Sequence, residues 1–206
     1  CGAGARIATE DFDAADHLDI VCVDGAAAAA FGDGAGHVGS STGLPLNSTG
    51  VTGGVGRGMA IADFDVDGHP DVVFTVTNNC CPFGEPWIGS LVVQRYNPAN
   101  PRTFVTDGVG IDLGRLSGPE PVAAGDFDGD GKPDIVYRTG VQADGSGGER
   151  FSFYKGNGDG TFAAPVNTAP GLPHLDQMEA GDVDGDGDLD IVGAGSSQIA
   201  VVPGNG

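Results

Sequence analysis

The chain has 206 residues, of which 39% are hydrophobic, and this is enough for one ordinary domain or a piece of a larger one. Its formal net charge of −20, with 9 Lys and Arg residues against 29 Asp and Glu residues, excludes nucleic acid and anionic membrane surfaces as partners. The 38 glycines follow no G-X-Y period, which excludes collagen, and no apolar run is long enough for a transmembrane helix.

One aspartate-rich segment recurs along the chain. The first copy, DFDAADHLD at 11–19, is altered, whereas DFDVDGHPD at 63–71, DFDGDGKPD at 126–134 and DVDGDGDLD at 182–190 are intact. We call these segments loops 1 to 4 in chain order. A short stretch that favours a β-strand precedes each loop (ARIATE, GMAIA, PVAAG and QMEAG), and an apolar run follows it. The regular apolar runs argue against a disordered acidic chain.

A further strand-like stretch and a turn complete the unit. The clearest example is FSFYKGNGDGTFAAPV at 151–166, and its counterparts are FGDGAGHV at 31–38 and RYNPANPRTF at 95–104. Each unit therefore predicts about four short strands. Only Ala26–Ala30 favours a helix, and an alanine run between two glycines is equally compatible with a strand.

The spacing of the loops predicts the architecture. We expect one domain over 1–206, with repeats at about 5–57, 58–119, 120–175 and 176–206, the last of them incomplete. Units of roughly 50 residues with four antiparallel strands are typical of β-propeller blades. The predicted fold is therefore an all-β propeller of about four blades, or a part of a larger propeller. A β-sandwich built of hairpins is the alternative.

The loops predict a metal ion. Numbered from its first aspartate, each intact loop has carboxylates at positions 1, 3, 5 and 9 and glycine at position 6. Lys132 is the only Lys or Arg within the three intact loops. A divalent cation relieves the repulsion between these carboxylates, and Ca²⁺ accepts many oxygen ligands in irregular geometry. We predict about three Ca²⁺ sites. The side-chain ligands are Asp63, Asp65, Asp67, Asp71, Asp126, Asp128, Asp130, Asp134, Asp182, Asp184, Asp186 and Asp190, and the position 7 residues His69, Lys132 and Asp188 contribute backbone carbonyls.

Other readings of the loops are weaker. Position 12 is Phe74, Tyr137 or Gly193 rather than the Glu of an EF-hand. Zinc is disfavoured because no Cys or His lies in register as a ligand, and plain Asx turns do not explain three copies of one spacing. Loop 1 has Ala and Asp at positions 5 and 6; as a possible fourth site it binds weakly, through Asp11, Asp13, Asp16 and Asp19, or not at all.

The combination of D-x-D-x-D-G-x-x-D with the downstream GNGDGTF resembles the FG-GAP/VCBS repeats of integrin-α-like β-propellers. The resemblance extends over essentially the whole chain. It implies a propeller, usually of seven blades, with calcium loops between the first and second strands of the blades. It also implies a protein that is secreted or displayed at the cell surface and binds ligands.

Catalytic signatures are missing from the sequence. There is no G-x-S-x-G elbow, P-loop or dinucleotide fingerprint, and three of the four histidines lie in aspartate loops or a glycine turn, so we expect no enzyme and no catalytic residues. The least repetitive segment is 77–90, where Trp87 either stacks on a sugar ring or fastens the segment to its blade.

The four cysteines are compatible with an oxidising compartment. The adjacent Cys80 and Cys81 pair either with each other or with Cys1 and Cys22, and Cys1 is also a candidate lipoprotein anchor. Asn47-Ser48-Thr49 is a glycosylation sequon.

We expect an extracellular calcium-binding propeller that acts as a lectin-like or adhesion module for carbohydrate or protein ligands. One alternative is an assembly subunit whose last blade is completed by strand exchange with another chain, through its C-terminal edge. Another is the non-catalytic part of a larger secreted enzyme.

Overall fold

A computed structural model of the chain describes residues 5–46, 55–77, 87–106, 110–116, 121–139, 150–168, 174–195 and 198–204. These residues form β-strands and no helix, so none of them belongs to a helix that could cross a membrane. The strands are β1 Arg6–Glu10, β2 Asp19–Asp24, β3 Ala26–Ala30, β4 Thr42–Leu44, β5 Val55–Ala62, β6 Asp71–Thr77, β7 Trp87–Tyr96, β8 Phe104–Thr106, β9 Ile111–Leu116, β10 Val122–Gly125, β11 Asp134–Thr139, β12 Arg150–Tyr154, β13 Val166–Asn167, β14 Gln177–Gly181, β15 Asp190–Gly195 and β16 Gln198–Val202.

The strands form four antiparallel sheets, and within each sheet they follow one another in chain order. The sheets are β1–β4, β5–β8, β10–β13 and β14–β16, and β9 pairs with the first half of β7 where β8 pairs with its second half. Consecutive antiparallel strands need only short connections, which agrees with the short turns read from the sequence. We call these sheets blades 1 to 4.

The blades lie face to face. Their first strands contact one another in chain order, β1 with β5, β5 with β10, and β10 with β14. One apolar cluster joins blades 1 and 2, a second joins blades 2 and 3, and a third joins blades 3 and 4. This arrangement is a four-bladed β-propeller, which confirms the predicted fold, and the β-sandwich alternative is excluded because a sandwich has two packed sheets.

Strand β6 shows how the side-chain pattern follows from this packing. All seven of its residues are buried. Val72, Phe74 and Val76 belong to the cluster shared with blade 1, whereas Val73 belongs to the cluster shared with blade 3. Successive side chains of a strand point to opposite faces of its sheet. A blade between two others therefore needs apolar residues on both faces, and its strand reads as a continuous apolar run.

The alanine run at Ala26–Ala30 is a strand, β3, between β2 and β4. Ala27 and Ala29 are buried in the cluster shared with blade 2, and their neighbours along the strand are more exposed. The small side chains fit because the packing of the adjacent blade decides the conformation here, and it overrides the helix propensity of alanine.

Each aspartate loop connects the first and second strands of its blade. Loop 1 joins β1 to β2, and loops 2, 3 and 4 join the equivalent pairs β5–β6, β10–β11 and β14–β15. In every blade the last aspartate of the loop is also the first residue of the second strand. The repeated topology therefore places all four loops at equivalent corners of the blades.

Candidate metal-binding loops

The first aspartate of each loop holds the turn together. In loop 2 the carboxylate of Asp63 accepts hydrogen bonds from the backbone N–H groups of Asp67, at 3.0 Å, and Gly68, at 2.9 Å. Such bonds from a side chain to the backbone are typical of Asx turns. The same contacts recur as Ala15 and Asp16 to Asp11 and as Asp130 and Gly131 to Asp126. In loop 4 the donors to Asp182 are Gly185, at position 4, and Gly187, at position 6.

The last aspartate of each loop is buried and joins the loop to the third strand. The Asp71 side chain accepts a 2.9 Å bond from the Phe64 N–H and a 2.8 Å bond from the Tyr96 N–H at the end of β7. The equivalent residues are Asp19, Asp134 and Asp190, each with the same two kinds of donor. One carboxylate thus connects three parts of its blade.

Burial makes these carboxylates unusual acids. Desolvation raises the pKa of Asp71 to about 7, even though its two N–H donors lower it, and the negative charge of Asp65 adds to the rise. Burial also raises the pKa of Asp19 and Asp134, whereas the N–H donors Val183 and Gly204 lower that of Asp190. In loops 1 to 3 a nearby cation would favour the ionised form that burial disfavours.

The aspartate at position 3 has one paired and one unpaired oxygen. In loop 2, Asp65 Oδ2 lies 2.7 Å from the Arg95 guanidinium, and Asp65 Oδ1 is buried without a hydrogen-bond partner. Asp128 pairs with Lys155 in the same way, and its Oδ1 is also buried without a partner. A buried carboxylate oxygen with no partner is rare in proteins and normally indicates an ion or water in contact with it.

The loop motif does not reveal these basic residues, because they lie outside the loops. Arg95 immediately precedes Tyr96, whose N–H binds Asp71, and Lys155 immediately precedes Gly156, whose N–H binds Asp134. Lys155 also lies 3.0 Å from Asp130, and its hydrogen bond lowers the pKa of that carboxyl. The signal that could have found them is this shared position at the end of the third strand.

In every loop the carboxylates at positions 1, 3 and 9 converge. Their oxygens lie within 4.8 Å of one another, which is close enough to share one metal ion. The four groups are Asp11, Asp13 and Asp19; Asp63, Asp65 and Asp71; Asp126, Asp128 and Asp134; and Asp182, Asp184 and Asp190. Hard oxygen donors with unpartnered lone pairs fit Ca²⁺, and fit zinc less well.

The remaining predicted ligands lie outside these groups. The position 5 carboxylate of Asp67 accepts a 2.9 Å bond from the His69 N–H, and Asp130 and Asp186 accept the equivalent bonds from Lys132 and Asp188. In loop 1, Asp16 occupies position 6, where the intact loops have glycine, and it does not belong to the group of converging carboxylates. Ligation by position 5 and by the position 7 carbonyls stays a prediction.

The turn of one blade packs against the loop of the preceding blade. Phe64, at position 2 of loop 2, meets Phe162 of blade 3 edge to face, with 5.6 Å between ring centroids, and its carbonyl accepts a 3.0 Å bond from the Gly160 N–H. Phe12 of loop 1 meets Phe104 of blade 2 in the same way, at 5.4 Å. The loop and the GNGDGTF-type turn therefore form one contact across two blades.

The other candidate residues are only partly described. Trp87 begins β7 and pairs through its backbone with Leu116, but its side chain lies outside the described residues, as do Cys1, Cys80, Cys81 and the sequon. Cys22 is disulfide-bonded. A cavity of about 520 Å³ lies between the first strands of blades 1, 2 and 4, lined among others by Arg6, Glu10 and Glu179.

Comparison with protein families agrees with this architecture. An FG-GAP repeat model matches residues 122–149, and an FG-GAP-like repeat model matches residues 141–193. The matches cover loop 3, the turn of blade 3 and loop 4. No curated protein matches the chain. Residues 122–193 thus match FG-GAP repeats, and the four successive antiparallel sheets that each carry the aspartate loop support an FG-GAP-repeat β-propeller.

Proposed function

We propose that the chain is a calcium-binding β-propeller that acts outside the cell as a binding module for protein or carbohydrate ligands. The observation that carries the calcium assignment is the buried Oδ1 atom of Asp65 and Asp128, which has no hydrogen-bond partner and belongs to a group of three converging carboxylates. FG-GAP repeats often bind Ca²⁺, and the converging carboxylates of this chain are compatible with such binding.

In this proposal the ion supplies positive charge, and the protein residues arrange the oxygens around it. Asp63 holds the turn through two N–H donors, Asp71 joins the turn to β7, and the Arg95 guanidinium fixes one oxygen of Asp65 so that the other faces the ion. The ends of three strands then depend on one site. Calcium therefore stabilises the blade corners and keeps the surface loops in place.

Calorimetric titration of the calcium-free protein with CaCl₂ tests the assignment. We expect calcium binding, with one fewer site in Asp128→Asn and one fewer in Asp184→Asn, because each loses an oxygen from its group. Asp24→Asn is the control, since this exposed carboxylate lies outside all four groups. Absence of calcium binding by the unmodified protein would overturn the proposal.

One observation and two general considerations support an extracellular location. Cys22 is disulfide-bonded, and disulfides persist in oxidising compartments. Extracellular calcium is also high enough to fill sites of modest affinity. FG-GAP repeat proteins are commonly extracellular or exposed at the surface, in agreement with this. A thiol assay on protein recovered from the producing organism tests the point, because a fully reduced Cys22 would contradict it.

The ligand surface in this proposal is the segment around Trp87 together with the cavity lined by Arg6, Glu10 and Glu179. Rigid blades carry these residues, and loops on a rigid scaffold are common places for binding. FG-GAP repeats are typically non-catalytic, which agrees with a module that binds. Glycan-array and cell-surface assays compare ligand binding by the unmodified protein with binding by Trp87→Ala and by Arg6→Ala. The variant that loses binding shows whether the ligand contacts the segment around Trp87 or the cavity.

A second candidate function is assembly by strand exchange. Among the described residues blade 4 has three strands, with β16 at its edge, whereas the other blades have at least four. Ile199 and Val201 of β16 are 79% and 47% exposed. An edge strand with exposed apolar residues is a template for a further strand. Sedimentation tests this function: association weakened by Ala200→Pro would support it, and a compact monomer at all concentrations would contradict it.

A further inference from the structure

Blade 1 differs from blades 2 and 3 in the source of its basic residue. In blades 2 and 3, Arg95 and Lys155 come from the end of the third strand, one residue before the N–H donor to the last aspartate, and pair with the aspartate at position 3 of their own loop. In blade 1 this position is Phe31, next to Gly32, whose N–H binds Asp19. Blade 1 therefore has no basic residue of its own at this position.

Arg102 of blade 2 takes that place. It lies in the turn between β7 and β8, and its Nε atom is 3.0 Å from Asp13 Oδ2 in loop 1. The guanidinium carbon lies 5.6 Å from the centroid of the Phe31 ring, at the distance of a cation–π contact. Phe31, which stands in blade 1 where the other blades have a basic residue, thus packs against Arg102 of blade 2.

The turn around Arg102 is held in an uncommon conformation. Arg102 has a φ of 66°, in the left-handed region that non-glycine residues rarely adopt. Its N–H donates a 3.1 Å bond to the hydroxyl of Tyr96, and the Asn97 N–H donates a 2.9 Å bond to the Thr103 carbonyl. Such strained residues persist only where the surroundings determine them, and they are frequent at ligand sites.

Loop 1 retains the form of the intact loops despite its altered sequence. Asp11 accepts N–H bonds from positions 5 and 6, as Asp63 does, and Ala14 and Asp16 adopt positive φ values where loop 3 has glycines. The Asp13 side chain is only 9% exposed, and its Oδ1 is buried with no hydrogen-bond partner. The unpartnered oxygen thus belongs to a carboxylate that converges with those of Asp11 and Asp19.

We propose that loop 1 is a cation site built across two blades, with Arg102 as the positioning residue for Asp13. The salt bridge fixes Oδ2 and leaves Oδ1 for the ion, as Arg95 does within blade 2. Occupancy of loop 1 is then coupled to docking of the β7–β8 turn on blade 1, and the coupling acts in both directions. This inference rests on the proposed calcium function.

Calcium titrations test the site. Asp13→Asn binds one ion fewer than the unmodified protein, and Asp65→Asn, the matched change in loop 2, also binds one fewer. Arg102→Gln retains the aliphatic stem and weakens one site about tenfold, the usual loss when a ligand-orienting partner is removed. In the Asp13→Asn background Arg102→Gln changes calcium binding no further, whereas a merely structural role would give the same loss in both backgrounds.

Amide hydrogen exchange tests the coupling between blades. Calcium slows exchange of the Asn97 amide, which closes the Arg102 turn, and of the Asn157 amide, which makes the equivalent 3.0 Å bond to Thr161 in blade 3. In Asp13→Asn the calcium effect disappears at Asn97 and remains at Asn157. Loss at both positions, or at neither, would contradict the coupling.

The outcomes separate this inference from the proposed function. If the unmodified protein binds no calcium, both fail. If it binds calcium but Asp13→Asn binds as many ions, or Arg102→Gln binds with unchanged affinity, only the site in loop 1 is overturned. Circular dichroism and the melting temperature of each calcium-free variant show whether it is folded, and Asp13→Asn, which is nearly isosteric, remains informative if Arg102→Gln fails to fold.

Discussion

Residues of different types reach the same loop conformation at different energetic cost. Position 4 has a positive φ in every loop and is Ala14, Val66, Gly129 or Gly185. Glycine adopts this region without steric strain, whereas a β-branched residue does not. Val66, with a φ of 55°, is therefore the most strained of the four.

We predict that Val66→Gly stabilises the protein. Relief of the left-handed conformation contributes about 1–3 kcal/mol, the greater freedom of glycine in the unfolded chain costs about 0.5–1 kcal/mol, and the net gain is about 1 kcal/mol. Urea denaturation measures it. Val183→Gly is the control, because Val183 is equally exposed, at 53%, and lies in loop 4 but has no positive φ itself; this variant should lose stability. A loss in Val66→Gly as well would contradict the argument.

The aspartates at positions 5 and 9 are chemically identical but have different roles. Asp71 is completely buried with two N–H donors, whereas Asp67 is exposed. In the calcium-free protein Asp71→Asn presents an amide N–H to one of these donors and leaves it unsatisfied. The expected loss is about 1–3 kcal/mol of unfolding free energy.

The matched change Asp67→Asn should cost less than about 0.5 kcal/mol, because an exposed amide oxygen still accepts the His69 N–H. Chemical denaturation in a calcium chelator gives both values. Equal losses at the two positions would show that the buried donors do not depend on the carboxylate.

At the scale of elements, the unit of stability is a loop together with the turn of the next blade. Phe64 contacts Phe162 edge to face, and Gly160 donates to the Phe64 carbonyl, so the corner of blade 2 is completed by residues of blade 3. An isolated blade lacks this contact. The repeats are therefore expected to unfold cooperatively with their neighbours rather than one at a time.

We predict that Phe162→Ala lowers the stability of the protein by about 2 kcal/mol, since it removes a partly buried aromatic pair. The calcium affinity of loop 2 should also fall, because the contact holds Phe64 beside Asp63 and Asp65. Denaturation and calcium titration measure the two effects. Val166→Ala, at a 68% exposed residue of the same blade, is the control and should leave both unchanged.

At the scale of the whole molecule, the distribution of charge bears on the proposed metal binding. A net charge of −20 opposes the compact state, and four groups of carboxylates concentrate that charge at the blade corners. In loop 4, where Pro203 stands in place of Arg95 or Lys155, no basic side chain pairs with Asp184 within the described part of the chain. Under the proposed calcium binding, loop 4 is therefore expected to depend most on an external cation.

We predict that a chelator lowers the melting temperature by more than about 10 °C. When the free calcium concentration is a hundred times the dissociation constant, each site contributes about 2.7 kcal/mol to the free energy of unfolding. A change of about 1 kcal/mol shifts the melting temperature of a domain of this size by roughly 2–4 °C. Thermal unfolding with EGTA and with excess CaCl₂ measures the shift. NaCl of matched ionic strength is the control for charge screening, and a melting curve that does not respond to the chelator would contradict the prediction.

The sequence by itself determined the strands, the blade repeat and the positions of the loops. These features depend on residues close together in the chain: the alternation of apolar side chains, the Asx turns, and the spacing of the aspartates. The alanine run was ambiguous, because its conformation depends on the blade packed against it.

Only the tertiary structure decided which residues complete each site. Arg102 and Asp13 are 89 residues apart in the chain, and nothing near either of them indicates the other. The sequence likewise gives the same letter to a buried aspartate with a raised pKa, Asp71, and to an exposed one, Asp67. Burial, charge pairing and contacts between blades depend on which surfaces meet when the sheets pack, so they follow from the assembled propeller and not from any local segment.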